Sequence, residues 1–215
     1  MDAILLLNGS YSTHDYRLIK RRIVTGKVRP VIIAVDGGIR ALQKLNIRPD
    51  YWVSDLDSSP RLKKGFLTET ELLFYPSDKD KTDAELALDL CLKMKIRAVD
   101  IFGWADSGGE TDHMLGNLLL PFQSRMLKSI SIRFISPKQV IFPSGAGKTI
   151  VTHEKGKRLS ILPITASVTL SLRGVLYSAR DLKVYRGQSI SLRNEITADR
   201  AVIEHTKPVL IIISG

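Results

Sequence analysis

The 215-residue chain has a single cysteine, Cys91, so it cannot form an internal disulfide, and a disulfide-stapled secreted scaffold is excluded. Cys91 falls on an apolar helical stripe, the setting of a buried thiol in a reducing compartment rather than of a nucleophile. Long hydrophobic runs are also missing: nothing approaches the roughly 20 apolar residues of a membrane-spanning helix. "ILLL" near the start lacks a basic leader and a long apolar core, so no signal peptide and no membrane association are expected, and the cytoplasm is the default location. Aromatic residues are scarce, at 7%, and do not interleave with the basic ones. That matters because 32 Lys and Arg against 22 Asp and Glu give a net charge of +10. A nucleic-acid binder would pair such charge with a contiguous basic face and stacking aromatics. Here the basic residues are scattered, and the densest run, "RLIKRR" (17–22), reads as the solvated side of a helix whose apolar side holds Leu18, Ile19 and Ile23. Nucleic acid is therefore not an expected partner. Repeats and low-complexity tracts are absent.

What is present is a change of pattern part-way along the chain. Up to about residue 136, apolar runs at 3–8, 31–36, 51–55, 72–76, 98–103 and 130–135 alternate with amphipathic segments near 14–24, 38–46, 60–70, 82–95 and 112–127. Strands alternating with helices imply right-handed crossovers and a Rossmann-like, mostly parallel sheet with helices on both faces. From 138 onward there are only short β-branched runs, including "TIVTH", "RLSILPI", "SVTLSL", "LKVYRG", "SISL", "RAVIEH" and "VLIIIS". They predict a small C-terminal antiparallel β-sandwich or barrel, with the sandwich preferred. The expected domains are 1–137 and 138–215.

In an open parallel sheet, ligands bind beyond the carboxyl ends of the strands. Asp36 closes the second strand and enters Gly37-Gly38. Asp55 and Asp57, in "VSDLDSS", close the third. Clustered carboxylates repel unless a cation joins them, and a few hard oxygen ligands favour Mg²⁺ held together with phosphates. "SDKDKTDAELALDL" (77–90) adds Asp80 and Asp83 at the mouth of a helix, with Thr82 and Glu85 as a capping box. Lys79 and Lys81 would complement phosphate charge. "GWADSGGETDHMLGN" (103–117) places a Gly pair before a helix carrying Asp112 and His113, and Gly-rich backbone at a helix start suits anions. Taken singly, "DLD" reads rather as a turn and His113 as a surface residue; their arrival at one sheet edge makes a metal–phosphate site. "GAGKT" (145–149) is not a P-loop, because Phe142 stands where Gly is needed and a strand follows; it reads as a hairpin turn.

Together, "DGG" (36–38), "RPDYWVSDLDSS" (48–59), "YPSDKDKTDAELAL" (75–88) and "GGETDHMLGN" (108–117) resemble the thiamine pyrophosphokinase family in order and spacing, and "GVLY" (174–177) and "RNE" (193–195) resemble its second domain. The resemblance implies an ATP/Mg-binding catalytic domain and a thiamine-binding, dimerising β domain. It implies transfer of a pyrophosphoryl group from ATP to the thiamine hydroxyl, releasing AMP, in a homodimer with active sites between subunits. Asp36, Asp55, Asp57 and Asp83 then match the metal positions, with Asp55, Asp57 and Asp83 catalytic. Asp80, Thr82, Lys79, Lys81, Asp112 and His113 fall to ATP; Asn194, Tyr177 and Trp104 fall to thiamine. The chain departs from the family mildly at Ser54 and Leu56, and at Glu110, where a phosphate-binding role does not carry over; the departures at Arg193 and Ser178-Ala179 bear on the thiamine pocket more than on the reaction. A related pyrophosphokinase for another alcohol, such as a hydroxymethylpterin, is the alternative. A metal-dependent nucleotide-sugar transferase ranks below it, since it leaves "KDKTD" and the β tail without a role.

Overall fold

Six short apolar runs of the first 137 residues form strands in the computed structural model: β1 (Asp2–Leu6), β2 (Val31–Val35), β3 (Tyr51–Ser54), β4 (Glu71–Phe74), β5 (Ala98–Phe102) and β6 (Ser131–Ile135). The structure describes residues 1–26, 28–55, 61–76, 78, 80–105 and 111–215. Contacts divide the chain into two units, Met1–Pro137 and Lys138–Gly215. In the first, the strands lie in the order β6-β5-β1-β2-β3-β4 and every neighbouring pair is parallel.

Helices α1 (Thr13–Val24), α2 (Ile39–Leu45), α3 (Asp83–Lys93), α4 (Thr111–Leu119) and α5 (Ser124–Ser129) connect the strands. Side chains alternate across a strand, so one sheet face carries Ile4, Leu6, Ile32 and Ala34. These join Ile19 of α1 and Leu42 of α2 in one apolar cluster. The alternate residues Leu5, Ile33, Val35 and Val53 are equally buried, and α3 packs over β2 and β3. A sheet buried on both faces explains why these strands read as continuous apolar runs.

Helix starts follow local chemistry. Ser12 caps α1, and its box is complete: the Asp15 carboxylate accepts from the Ser12 backbone N–H at 2.8 Å. At α3 only half of the expected box forms. Thr82 accepts from the Glu85 N–H, but Glu85 turns away to Arg125 and Gln123. The buried stripe of α3 is Ala87, Leu88 and Cys91, with Leu90 and Met94 half-buried, so the helix is turned slightly from the expected Ala87, Leu90, Cys91, Met94 face. No helix forms over the described part of 60–70. Gly65 and Glu69 take positive φ, +75° and +71°, and the segment is a series of turns closed by i→i−3 bonds at Phe66, Thr68 and Thr70. Among the described residues no helix is long and apolar enough to cross a membrane.

The second unit has no helix. Strands β7 (Gln139–Ser144), β9 (Arg158–Pro163), β12 (Asn194–Glu195) and β14 (Val209–Ser214) lie in one sheet; β8 (Gly147–Thr152), β10 (Ser167–Arg173), β11 (Ala179–Tyr185) and β13 (Arg200–His205) form the other. All their pairings are antiparallel. Leu159, Ile161 and Ile211 of one sheet meet Leu170, Val184 and Ile203 of the other in a single core. Two expectations are corrected. Residues 189–192 are turn rather than strand. "GAGKT" is not a hairpin, because β7 and β8 belong to different sheets. A polar clip holds that corner. His205 Nδ1 donates to the Lys207 carbonyl at 3.0 Å, which leaves Nε2 to accept from Ser144 Oγ at 3.1 Å.

Candidate active site

Strand order reverses between β1 and β5, and the crevice of such a sheet opens beyond the strand ends there. The two chain segments leaving this point touch backbone to backbone. A Cβ on Gly9 would lie 2.2 Å from the Gly103 carbonyl oxygen, so a side chain there is not accommodated. Tyr11 fastens the same point: its hydroxyl donates to the Leu7 carbonyl at 2.6 Å and lies 3.3 Å from that of Phe102. Burial, then the neighbouring Tyr16 and Asp15, hold this phenol well above the ordinary tyrosine range.

Asp36 stands next along the edge. Its φ of +45° is unusual for a residue with a side chain, and such backbone strain gathers at functional sites. Contacts among the described residues help hold it there. Asn8 Nδ2 donates to Oδ2 at 3.1 Å, Ser54 Oγ lies 3.4 Å from Oδ1, and Trp52 Nε1 donates to the main-chain oxygen at 3.0 Å. Of the two following glycines, Gly38 is required by a backbone clash, whereas a side chain on Gly37 would displace the Asn8 amide that holds Asp36. A Cβ would meet Asn8 Oδ1 at 2.0 Å from Gly37 and the Leu6 carbonyl at 1.9 Å from Gly38. Asp55 follows β3, at the end adjacent to Asp36. Asp57 lies outside the described residues, as do Lys79 and Glu110. Among the described residues no group of three or more Asp, Glu, His or Cys side chains is gathered around one point.

Beyond β4, Asp80 precedes the Thr82 cap, and Asp83 occupies the first turn of α3, where a carboxylate meets the positive end of the helix dipole. Thr82, Asp112 and His113 line one cleft of about 200 Å³ together with Gly116, Asn117 and Leu120. Lys81 points elsewhere: its Nζ pairs with Asp89 at 2.7 Å, and Asp89 also takes Arg125 at 2.9 Å. The lysine expected at phosphate is thus engaged on the flank of α3. Trp104 is a correction. Its ring packs edge-on against Phe134, its N–H donates to the Ile135 carbonyl at 3.2 Å, and it is only 3% exposed, so no face is free for a ligand.

In the second unit Tyr177 is 69% exposed and Leu176 beside it 55% exposed. Asn194, by contrast, is buried, and its amide is spent on backbone: Oδ1 accepts from the Tyr177 and Glu195 N–H groups, and Nδ2 donates to the Tyr177 carbonyl, each at 2.9 Å. Arg193 precedes it at φ +57°, with its N–H on Ser160 Oγ.

Two family profiles match the chain: "Thiamin pyrophosphokinase, catalytic domain" over residues 26–134 and "Thiamin pyrophosphokinase, vitamin B1 binding domain" over 148–210. The chain belongs to the thiamin pyrophosphokinase family. A thiamine pyrophosphokinase of Bacillus subtilis is 29% identical over 185 residues, 84% of this chain and 85% of that one. A crystal structure of the thiamine pyrophosphokinase from Bacillus subtilis superposes with a TM-score of 0.83 at 25% identity, covering 100% of this chain and 99% of that one. That of thiamin pyrophosphokinase from Candida albicans shares the fold, with a TM-score of 0.81 at 17% identity over 99% and 88% of the two chains. As a member of the thiamin pyrophosphokinase family the chain is an enzyme, a transferase of the kinase type in thiamine diphosphate formation.

Sequence reasoning missed the supports of this site. Asn8, Gly9, Tyr11 and Gly103 attract no notice as residues, and only the "NG" dipeptide ending β1 signals a turn. Trp52 reads as an ordinary strand position, and Ser54 only as a departure from the family motif, until their bonds to Asp36 are seen.

Proposed function

We propose that Met1–Pro137 binds ATP with Mg²⁺, that Lys138–Gly215 binds thiamine, and that the thiamine hydroxyl attacks the β-phosphorus of ATP. The bond from that phosphorus to the oxygen bridging the α and β groups breaks, AMP leaves, and the hydroxyl proton is released. The observation that carries this reading is the Asp36 carboxylate, fixed at the crevice edge by Asn8 and Ser54. The Thr82, Asp112 and His113 cleft supports the nucleotide assignment.

The donor chemistry fits Mg²⁺. Asp36 and Asp55 end adjacent parallel strands, both offer hard carboxylate oxygens, and Asp57 and Asp83 complete the proposed set. When bound, the ion would neutralise phosphate charge and steady the triphosphate. Asp55, Asp57 and Asp83 are the proposed catalytic carboxylates, with Asp80 and Lys79 beside the nucleotide. In the second unit, Tyr177 offers its exposed ring to the flat thiamine cation, a contact aromatic faces favour.

A cytoplasmic homodimer whose sites draw residues from both chains completes the proposal. Exposed apolar side chains support it: Leu115 and Leu119 on α4, which buries none of its residues, and Ile190 and Leu192 in the second unit. The deciding experiment mixes protein, Mg²⁺, ATP and thiamine and quantifies products. AMP and thiamine diphosphate in equal amounts are expected; ADP with thiamine monophosphate would refute the mechanism.

A further inference from the structure

Asn194 is placed among thiamine contacts by the family resemblance, yet its side chain is occupied along the chain itself. The segments 174–178 and 194–198 run antiparallel and are joined by main-chain bonds: Leu176 N–H to the Glu195 carbonyl at 2.8 Å, the Val175–Ile196 bridge, and Thr197 N–H to the Gly174 carbonyl at 3.0 Å. Main-chain pairing stops at Leu176. At the next residue the Asn194 amide takes over, accepting from the Tyr177 N–H and donating to the Tyr177 carbonyl, as a neighbouring strand would. Both rotations of the Tyr177 backbone are thereby restrained, while Ser178 Oγ bonds back to the Val175 carbonyl at 3.1 Å and closes the turn. The outcome is an exposed aromatic ring on a fixed main chain.

We infer that Asn194 is a positioning residue: it presents Tyr177 to thiamine and acts on the substrate only through that ring. This rests on the reading of Tyr177 as the thiamine-facing aromatic. Three observations single out Asn194 for the task. It is 8% exposed, so little of it reaches a ligand. Its Oδ1 is doubly used, by Tyr177 and Glu195. A buried amide whose partners are main-chain groups is costly to remove, because the groups it satisfied are left unpaired. Pre-setting the ring removes an ordering cost that binding would otherwise bear, so the benefit falls on substrate affinity.

The test is a double-mutant comparison in the full-length enzyme with steady-state kinetics in both substrates. Tyr177→Ala and Asn194→Ala should each raise the thiamine KM about tenfold, with kcat and the ATP KM within about twofold of wild type. The double variant should be no worse than Tyr177→Ala alone, since removing the ring removes what Asn194 positions. Should Asn194→Ala unfold, Asn194→Asp serves in its place: it keeps an acceptor for the Tyr177 N–H but sets a carboxylate against the Tyr177 carbonyl. A double variant whose KM rise is the product of the single rises would overturn the inference while leaving Tyr177 as a thiamine contact. An unchanged thiamine KM in Tyr177→Ala would instead remove Tyr177 from the pocket, and the positioning role with it. A loss in kcat and ATP KM as large as in thiamine KM would mark Asn194 as a folding residue only.

Discussion

The amide of Asn8 donates to the carboxylate of Asp36 over 3.1 Å, tying the end of β1 to the end of β2. Because Asp36 also holds a left-handed backbone and accepts from Ser54 and Trp52, its carboxylate has one orientation before any ligand arrives. Groups that orient a metal ligand typically matter about ten- to a hundredfold in affinity or activity. Asn8→Ala should therefore lower kcat about tenfold at saturating ATP and thiamine, with the thermal midpoint little changed. Asn8→Asp should be worse, since it adds a like charge beside Asp36. Steady-state rates across a Mg²⁺ titration check both, and wild-type rates in Asn8→Ala would contradict the role.

Gly116 tests the proposed nucleotide cleft. It lies within α4, lines the cleft beside Asp112 and His113, and has open space where a Cβ would stand. Gly116→Ala should stabilise the protein by about 0.5–1 kcal/mol through the helix backbone. Gly116→Leu should instead fill the cleft and raise the ATP KM at least about tenfold, leaving the thiamine KM near wild type. Equal ATP affinity in wild type and Gly116→Leu would move the nucleotide elsewhere.

Cys91 sets a pH dependence. It is buried on α3, and burial pushes its thiol up to about 12 from 9.0. In the unfolded chain the thiol ionises from about pH 9, whereas in the folded protein it stays protonated to about pH 12. A raised folded value means stability fully present below pH 9 and lost as pH rises towards 12. Urea unfolding at pH 8 and pH 10.5 should show a decline in the wild type that is smaller in Cys91→Ala. Thiol reagents should leave the native protein unmodified at pH 8, and rapid labelling would refute the burial.

Shared sites in a homodimer predict complementation. Asp57→Asn removes a charge from the proposed metal-binding set and should cost orders of magnitude in turnover; Tyr177→Ala should be weak at thiamine well below the wild-type KM. Mixed under subunit exchange, random pairing gives one intact site in half of the dimers, so activity should recover to about a quarter of wild type. Proven exchange without recovery, or a fully active monomer by sedimentation, would exclude shared sites.

The sequence by itself determined the elements and the class of chemistry. Apolar runs alternating with amphipathic segments fixed a parallel sheet followed by an antiparallel sandwich, because side-chain period is a local property. "DGG" likewise placed Asp36 directly after β2, and "TD" placed Asp83 in the first turn of α3. The expected helix at 60–70 is a local failure: Gly65 and Glu69 adopt positive φ that apolar spacing does not report. Tertiary structure alone decided which polar groups are free to act. Asp36 is oriented by residues 28 and 18 positions away, and Tyr11 bonds to the end of a strand 91 positions further on. Of three residues assigned together to thiamine, only Tyr177 presents an open side chain, while Trp104 lies in the core and Asn194 is bound to Tyr177 itself. Lys81 likewise spends its charge on Asp89, in the second turn of α3. Burial and the choice of hydrogen-bond partner depend on what the fold brings near, and spacing along the chain does not encode that.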